Sequence, residues 1–393
     1  MKSKKTLIGL VILAAFVAFL FNACAPLREF GRTPAYQGSN ALNYSLPFYD
    51  SSKKTVVIVA NNDGTELFDM MAPFYLFNAT ERANVYIVAK NKFPIVIKKG
   101  LFVLPQSTLS EIDSLRIRPD VIVIPFLAIA DSVNQDPVIV NWIKQHYSPA
   151  VTILSVCDGA ATAAATGIFD GKAITAHASD YEGIKAHFRK PLWIQNTSVA
   201  GSENLYSTAG VSNATEGSLI VINKLFGAEA MKRVIRDVSY PHTAPRTEHQ
   251  SKVFQVSNKI AVGKKILFRK DKKLGVFLQP GINEFDLAGV MDTYNRTFPA
   301  SIESFSRENA QIKTKYGLTL LPTGELSSAR LDELHVINFP SFSKYEYQLL
   351  NVKDVVQHDR RERRYIIDKC LQRINAEYGK GFENVVKLML DYN

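Results

Sequence analysis

Short runs of apolar residues recur along the chain from residue 55, and polar turns and helical stretches separate them. The first four runs are TVVIVA (55–60), NVYIVAK (84–90), DVIVIP (120–125) and VTILSV (151–156). An apolar run without alternation suits a strand that is buried on both faces, and such strands occur in parallel sheets. Because a helical pattern at 136–147 lies between the last two runs, the order predicts an α/β protein with a parallel sheet sandwiched by helices.

The N-terminal segment has a different pattern. The 16 residues from Thr6 to Phe21 are almost all apolar and follow three lysines. This stretch is shorter than the ~20 residues of a membrane-spanning helix and is typical of an export signal. Cys24 follows a small residue, as the lipidated cysteine of a bacterial lipoprotein does, and an uncleaved anchor is the alternative. We therefore predict a signal peptide or anchor at 1–24, a flexible tether at 25–52 and an exported, membrane-attached protein.

Composition narrows the class of protein further. The chain has 393 residues, of which 46% are hydrophobic and 21% charged, and its net charge is +10. These values are those of a globular protein. Part of the positive charge precedes the N-terminal apolar stretch, and part lies in an arginine cluster at 360–364, which we interpret as a solvated face, with phosphate binding as the alternative. No recognition-helix pattern, nucleotide-binding fingerprint or zinc-spaced cluster occurs, so we predict no nucleic-acid partner, cofactor or metal.

The chain contains an internal repeat. A shift of 217 residues aligns 55–106 with 272–323 without a gap, and 13 of the 52 positions are identical. Among the identical pairs are Phe68 and Phe285, and Asp69 and Asp286. The second copy is shorter by about 61 residues, because 102 positions separate Pro125 from Gly227 whereas 41 separate Pro340 from Gly381. The repeat predicts a complete domain followed by a truncated copy of the same fold.

The residues that the second copy lacks include the candidate chemistry. They begin with VTILSVCDGAATAAATG, in which an apolar strand leads directly to Cys157 and a small-residue helix follows. This order predicts a nucleophile elbow, a sharp turn that points the side chain into the crevice above the strand ends. A helix N-terminus there favours the thiolate and predicts a pKa below the usual value of about 8.5. A buried structural cysteine is the alternative.

The segment SVCDGAATAAATGIFDGKAITAH (155–177) resembles the PfpI/ThiJ family of the class I glutamine amidotransferase-like superfamily. It is most similar to the branch that contains isonitrile hydratase and the ligand domains of AraC-type regulators, and the likeness covers about 55–240. The resemblance implies a flavodoxin-like fold. We therefore divide the chain into a complete domain at 53–242, a linker at 243–270, and a truncated repeat without an elbow at 271–393.

The resemblance also assigns roles to individual residues. It implies that Cys157 is the nucleophile, that His177 is its neighbour, and that Asp69 is the acidic residue that contacts the thiol. Asp158 and Gly159 would form the elbow and contribute to an oxyanion site. The alternatives are a structural role for His177 and a helix N-cap for Asp69.

Two features depart from the family pattern. Asp158 stands where isonitrile hydratases have a threonine, and a carboxylate there would raise the pKa of the thiol. Phe126 and Leu127 follow the third run, where the family usually has two glycines that supply oxyanion donors. Loss of one such donor costs an acyl-transfer enzyme ~10²–10³ in rate.

These patterns leave two functions open. One is a cysteine-dependent hydrolase, hydratase or lyase that acts on a small electrophilic substrate. The other is a non-enzymatic redox sensor or ligand-binding module of the cell envelope. The second half, whose Cys370 lies in a helical pattern, is predicted to be non-catalytic and to pack on the first as an internal pseudo-dimer partner. The alternative is that it binds a ligand or another envelope protein, and a homo-oligomer is also left open.

Overall fold

The computed structural model describes residues 26–393, except 37, 39–41, 43, 45, 98–99, 128–134, 270, 309, 341, 344–346, 349 and 393. The predicted signal or anchor and Cys24 lie outside the described residues. The helices are α1 (Leu67–Asn78), α2 (Leu109–Ser114), α3 (Pro137–His146), α4 (Gly159–Ala165), α5 (Tyr181–His187), α6 (Ala214–Phe226), α7 (Ala228–Asp237), α8 (Val256–Phe268), α9 (Glu284–Asn295), α10 (Ile366–Tyr378) and α11 (Lys380–Leu390).

The strands fall into two groups along the chain. Those of the first half are β1 (Lys54–Val59), β2 (Ala83–Ala89), β3 (Ile95–Ile97), β4 (Leu101–Leu104), β5 (Ser107–Thr108), β6 (Val121–Ile124), β7 (Thr152–Ser155), β8 (Ala173–Ile174), β9 (Leu192–Trp193), β10 (Val199–Ser202) and β11 (Leu205–Thr208). Those of the second half are β12 (Lys273–Phe277), β13 (Ser301–Ser306), β14 (Ile312–Lys313), β15 (Thr319–Leu321), β16 (Gly324–Glu325), β17 (Arg330–Ile337) and β18 (Asn351–His358).

The first half is built on a seven-stranded sheet in the order β10-β11-β7-β6-β1-β2-β5. All neighbouring strands in it are parallel except β10 and β11. Along β1, Val56 and Ile58 belong to one buried cluster, whereas Val57 and Val59 belong to another. Because alternate side chains enter separate cores, the sheet is covered on both faces, and the predicted α/β sandwich is confirmed.

The second half has a five-stranded parallel sheet in the order β16-β13-β12-β17-β18. This order matches β5-β2-β1-β6-β7 of the first sheet. The shift of 217 also maps the bounds of α1 onto those of α9. That the second half is a truncated copy of the first stays a prediction, as do the domain bounds, but the two halves have corresponding strand orders.

The halves meet through equivalent positions. The rings of Phe68 and Phe285 have centroids 5.2 Å apart. Strand β4 pairs antiparallel with β15, and Val103 lies opposite Leu320, its own counterpart at the shift of 217. Contacts between equivalent residues define an approximate two-fold axis, and one hydrophobic core contains side chains from both halves.

Two segments that the sequence predicts as connections contain helices. The predicted linker at 243–270 includes the 13-residue helix α8, whose Lys265 donates to the Phe298 carbonyl at 2.6 Å. In the predicted tether, residues 26–31 are helical, and Phe30 packs on Phe298 at 4.9 Å between ring centroids. Within the part of the chain that is described, no helix is both long enough and apolar enough to span a membrane.

We expect the contact between the halves to contribute strongly to stability. Replacing the buried Phe285 in F285A removes a ring from the two-fold contact and should lower the free energy of unfolding by about 3–5 kcal/mol in chemical denaturation. The matched control is F268A, because Phe268 on α8 is 78% exposed and its loss should change stability by less than about 0.5 kcal/mol. Equal effects of the two variants would contradict this account of the contact.

Candidate active site

Cys157 lies at a strained turn between a strand and a helix. Strand β7 ends at Ser155, and α4 begins at Gly159, so a single residue separates Cys157 from the strand on one side and from the helix on the other. The backbone of Cys157 has a φ of +55°, a conformation that non-glycine residues rarely adopt. Such strain costs of order 1–3 kcal/mol and is concentrated at functional sites. The strand, turn and helix have the order that the sequence predicts.

Gly159 is required by packing. A Cβ atom at this position would lie 2.1 Å from the Ile124 carbonyl oxygen, so a larger residue would push α4 away from β6. The N–H of Gly159 donates to the Val156 carbonyl at 2.9 Å. The expectation that Gly159 supplies an oxyanion donor is therefore wrong, because its donor is already used within the turn. The N–H of Asp158, in contrast, faces the thiol and acts to lower the pKa of Cys157.

The pKa of the Cys157 thiol is raised, not lowered. The residue is 4% exposed, and burial is the largest cause of the increase. The negative charges of Asp158, Asp69 and Glu66 act in the same direction. The expected low pKa is wrong, because desolvation and three nearby carboxyl groups outweigh the seven-residue helix α4 and the Asp158 N–H.

Asp69 is a buried acid in the first turn of α1. Its Oδ2 accepts from the Phe126 N–H at 3.1 Å. Its Oδ1 is buried and has no hydrogen-bond partner among the described residues. Burial, followed by the charge of Glu66, raises the pKa of Asp69 well above its usual value. Glu66, not Asp69, is the N-cap residue of α1, so the capping alternative does not apply.

His177 lies beside Asp158, and no hydrogen bond joins its ring to Cys157 among the described residues. Its Nδ1 lies 2.7 Å from Ser179 Oγ, whereas its Nε2 is buried without a partner in this part of the chain. Burial lowers the pKa of His177 and keeps the imidazole neutral. Burial and the Asp180 charge raise the pKa of the Asp158 carboxyl group, although the His177 backbone N–H opposes them.

The second half supplies two charged residues that sequence analysis missed. Arg296 follows α9 directly, and its Nη2 lies 3.0 Å from Glu66 Oε1. Its Nη1 lies 3.3 Å from Asp292 Oδ1, and Asp292 Oδ2 accepts from the Phe68 N–H at 2.9 Å. The negative charges of Asp292 and Glu66 raise the pKa of the Arg296 guanidinium against the effect of burial, and Cys157 is near enough to contribute. The site is therefore built from both halves.

The internal repeat does not identify Arg296 and Asp292 as site residues. It aligns Arg296 with Ala79 and Asp292 with Tyr75, so neither has a counterpart of the same chemistry in the first half. No group of three or more His, Cys, Asp or Glu side chains suitable for a metal ion occurs within the described ranges.

Comparison with known proteins finds similarity in the first half of the chain. Residues 53–221 match the model of the DJ-1/PfpI family. The chain is 23% identical to isonitrile hydratase from Pseudomonas putida over 177 residues, which cover 45% of this chain and 75% of that protein.

Two solved structures align with about half of the chain. Drosophila melanogaster DJ-1beta is 18% identical with a TM-score of 0.42, covering 47% of this chain and 97% of its own. Schizosaccharomyces pombe DJ-1 is 20% identical with a TM-score of 0.42, covering 48% of this chain and 100% of its own.

The raised pKa of Cys157 predicts a slow thiol at neutral pH. Because the nucleophile is the thiolate, alkylation by iodoacetamide should be negligible at pH 7 and should accelerate only above about pH 9, past the ordinary cysteine pKa. The E66Q variant should move this profile to lower pH, because it removes a negative charge near sulfur. Mass spectrometry of the Cys157 peptide measures the rate, and the Cys370 peptide is the internal control for unfolding. Rapid alkylation of the wild type at pH 6 would refute the assignment.

Proposed function

We propose that the DJ-1/PfpI-like first half of the chain is a cysteine-dependent enzyme that adds water to a small, uncharged electrophile. The observation that carries the proposal is a thiol on a strained turn near a buried carboxyl group, Asp69, whose pKa is raised and whose Oδ1 has no partner among the described residues. A charged substrate would lose its hydration in this buried site at high cost, which favours an uncharged one. The name of the relative from Pseudomonas putida, isonitrile hydratase, describes a reaction of this class.

The first step adds the thiol to the substrate. Cys157 Sγ bonds to the electrophilic carbon, the Asp69 carboxyl group gives its proton to the substrate, and the proton from sulfur returns to the Asp69 carboxylate. The net change is addition of S–H across one multiple bond. This route needs no free thiolate, so it is compatible with the raised pKa of Cys157.

The second step releases the product. Water bonds to the carbon that carries sulfur, the C–S bond breaks, and the sulfur recovers a proton, so the substrate has gained one water molecule. The water must lose a proton as it attacks. We assign this proton to His177, because its imidazole is neutral and its buried Nε2 has no partner among the described residues. His177 then gives the proton to the departing sulfur and returns to its neutral form. The thiol and Asp69 return to their starting forms.

A ligand-binding module is the second candidate function. The 4% exposure of Cys157 favours it, because a substrate must displace surrounding groups to reach sulfur. A redox sensor has less support, since sensor cysteines are exposed and have low pKa values, whereas burial raises the pKa of Cys157.

A substrate screen with matched variants tests the enzymatic proposal. The full chain is incubated with a panel of isonitriles, nitriles and aldehydes, and hydrated products are measured by mass spectrometry. C157A should abolish turnover, and D69N should lower kcat by about 10²–10⁴-fold, the usual contribution of a general acid. C370A is the control, because Cys370 lies in the core on α10 and should not affect turnover. Turnover that survives in C157A would refute the proposal, and binding without turnover in the wild type would favour the ligand-binding module.

We also propose that the protein is exported and attached to a membrane through residues 1–24. The apolar stretch behind three lysines and the position of Cys24 support this proposal. In intact cells the protein should react with an impermeant amine probe. After lysis and fractionation, the full chain should sediment with the membranes. C24A should release it if the attachment is a lipid and leave it bound if the attachment is a helix. Recovery of the wild type in the soluble fraction would contradict attachment.

A further inference from the structure

The second half has its own crevice at the carboxyl ends of its strands. This space of about 900 Å³ lies beyond the ends of β12 and β17, and its walls include residues next to β18. Strand β12 is central, with β13 on one side and β17 on the other, so chain connections leave it in opposite directions. Ligands of open parallel α/β sheets bind at such a position. We call it the basic crevice, because Arg307, Lys315, Arg360 and Arg361 line it.

The basic crevice differs in charge from the cysteine site. The shift of 217 aligns Asn283 with Glu66, so an uncharged side chain replaces an acid. It also aligns Asp286 with Asp69, but Asp286 Oδ2 lies 2.9 Å from Arg360 Nε and accepts from Asn338 Nδ2 at 3.0 Å. The equivalent acid is therefore ion-paired in the second half, whereas Asp69 Oδ1 in the first half has no partner among the described residues.

Two buried donors in the walls of the basic crevice have no acceptor. Asn283 caps α9, and its Oδ1 accepts from the Asp286 N–H at 2.9 Å. Asn283 is 6% exposed, and its Nδ2 has no hydrogen-bond partner within the described part of the chain. The Nη2 of Arg360 is also buried and unpaired there. An unpaired buried donor is costly, so an acceptor that reaches it is stabilised.

The cations of the basic crevice contact acidic, hydroxyl and aromatic groups of the protein. Asp286 pairs with Arg360, Asp359 pairs with Arg361, and Asp237 lies 3.5 Å from Arg360 Nη1. Lys315 donates to the neutral hydroxyl of Tyr75 at 2.9 Å. Arg307 lies over the Phe339 ring, with its guanidinium carbon 5.7 Å from the ring centroid, so its charge meets an aromatic face.

We propose that the basic crevice binds a small organic anion through a carboxylate or phosphate group. The anion accepts hydrogen bonds near the N-terminus of α9, and the arginines and Lys315 balance its charge. The arginine cluster at 360–364 therefore does not act only as a solvated face. This site contains no nucleophile and is independent of turnover at Cys157.

Isothermal titration of the full chain at constant ionic strength tests this proposal with two probes, inorganic phosphate and succinate. At least one should bind with saturation and one-to-one stoichiometry, and the tighter probe identifies the group that is recognised. N283D keeps an oxygen for the cap but adds a negative charge, and it should weaken binding by about tenfold or more. R307Q/R361Q, which changes two exposed arginines, should weaken binding to a similar extent.

The matched control is R118Q/R189Q, which removes two exposed arginines from the surface of the first half. It should change affinity by less than about twofold, because charges beyond the Debye length of about 10 Å are screened. Absence of saturable binding of both probes to the wild type would overturn the proposal. An equal loss of affinity in the control would also overturn it, because binding would then follow net charge alone. Since these titrations do not require turnover, their result is separate from that of the substrate screen.

Discussion

The buried ion pair between Arg296 and Glu66 connects the two halves at the cysteine site. Glu66, Asp69, Asp158 and Asp292 all lie around this region, and the guanidinium contacts Glu66 and Asp292 directly. The Arg296 guanidinium cannot pair with all four carboxyl groups, so burial and repulsion between the carboxylates raise the pKa of those that it does not contact. The raised pKa values of Asp69 and Asp158 follow from this imbalance together with burial. The same imbalance holds the thiol in its neutral form.

Sequence patterns predicted the structural features that depend on residues adjacent to one another along the chain. The strand, turn and helix around Cys157 follow from an apolar run that ends at a small-residue segment, and the positive φ of Cys157 is the strain that such a turn requires. The pKa of the thiol was predicted with the wrong sign. A helix N-terminus can be read from neighbouring residues, whereas burial and the approach of Glu66 depend on how distant elements pack. The predicted role of Gly159 was wrong for a related reason, because its N–H donates to the Val156 carbonyl within the turn.

The structural correspondence between the two halves of the chain could also be predicted only in part from the sequence. The shift of 217 gives the helix bounds, but the alignment of 120–125 with 335–340 does not give the strand register. Ile58 lies opposite Val123, whereas Gly275, its counterpart, lies opposite Leu334, four residues before the aligned position. Backbone pairing is set by packing of the whole sheet, and β17 is twice as long as the four-residue β6. Asp292 on α9 and Arg296 directly after it have no counterparts of the same chemistry in the first half, so the repeat does not identify them.

Tyr75 extends the connection from the ion pair to the basic crevice. It lies on α1, the helix that begins beside the cysteine site, and its hydroxyl donates to Asp237 at 2.6 Å. The same oxygen accepts from Lys315 at 2.9 Å and from Arg360 at 3.1 Å. Two of the cations that line the basic crevice therefore bind the helix that carries Asp69. Because Asp69 and Tyr75 both lie on α1, one helix contacts both crevices.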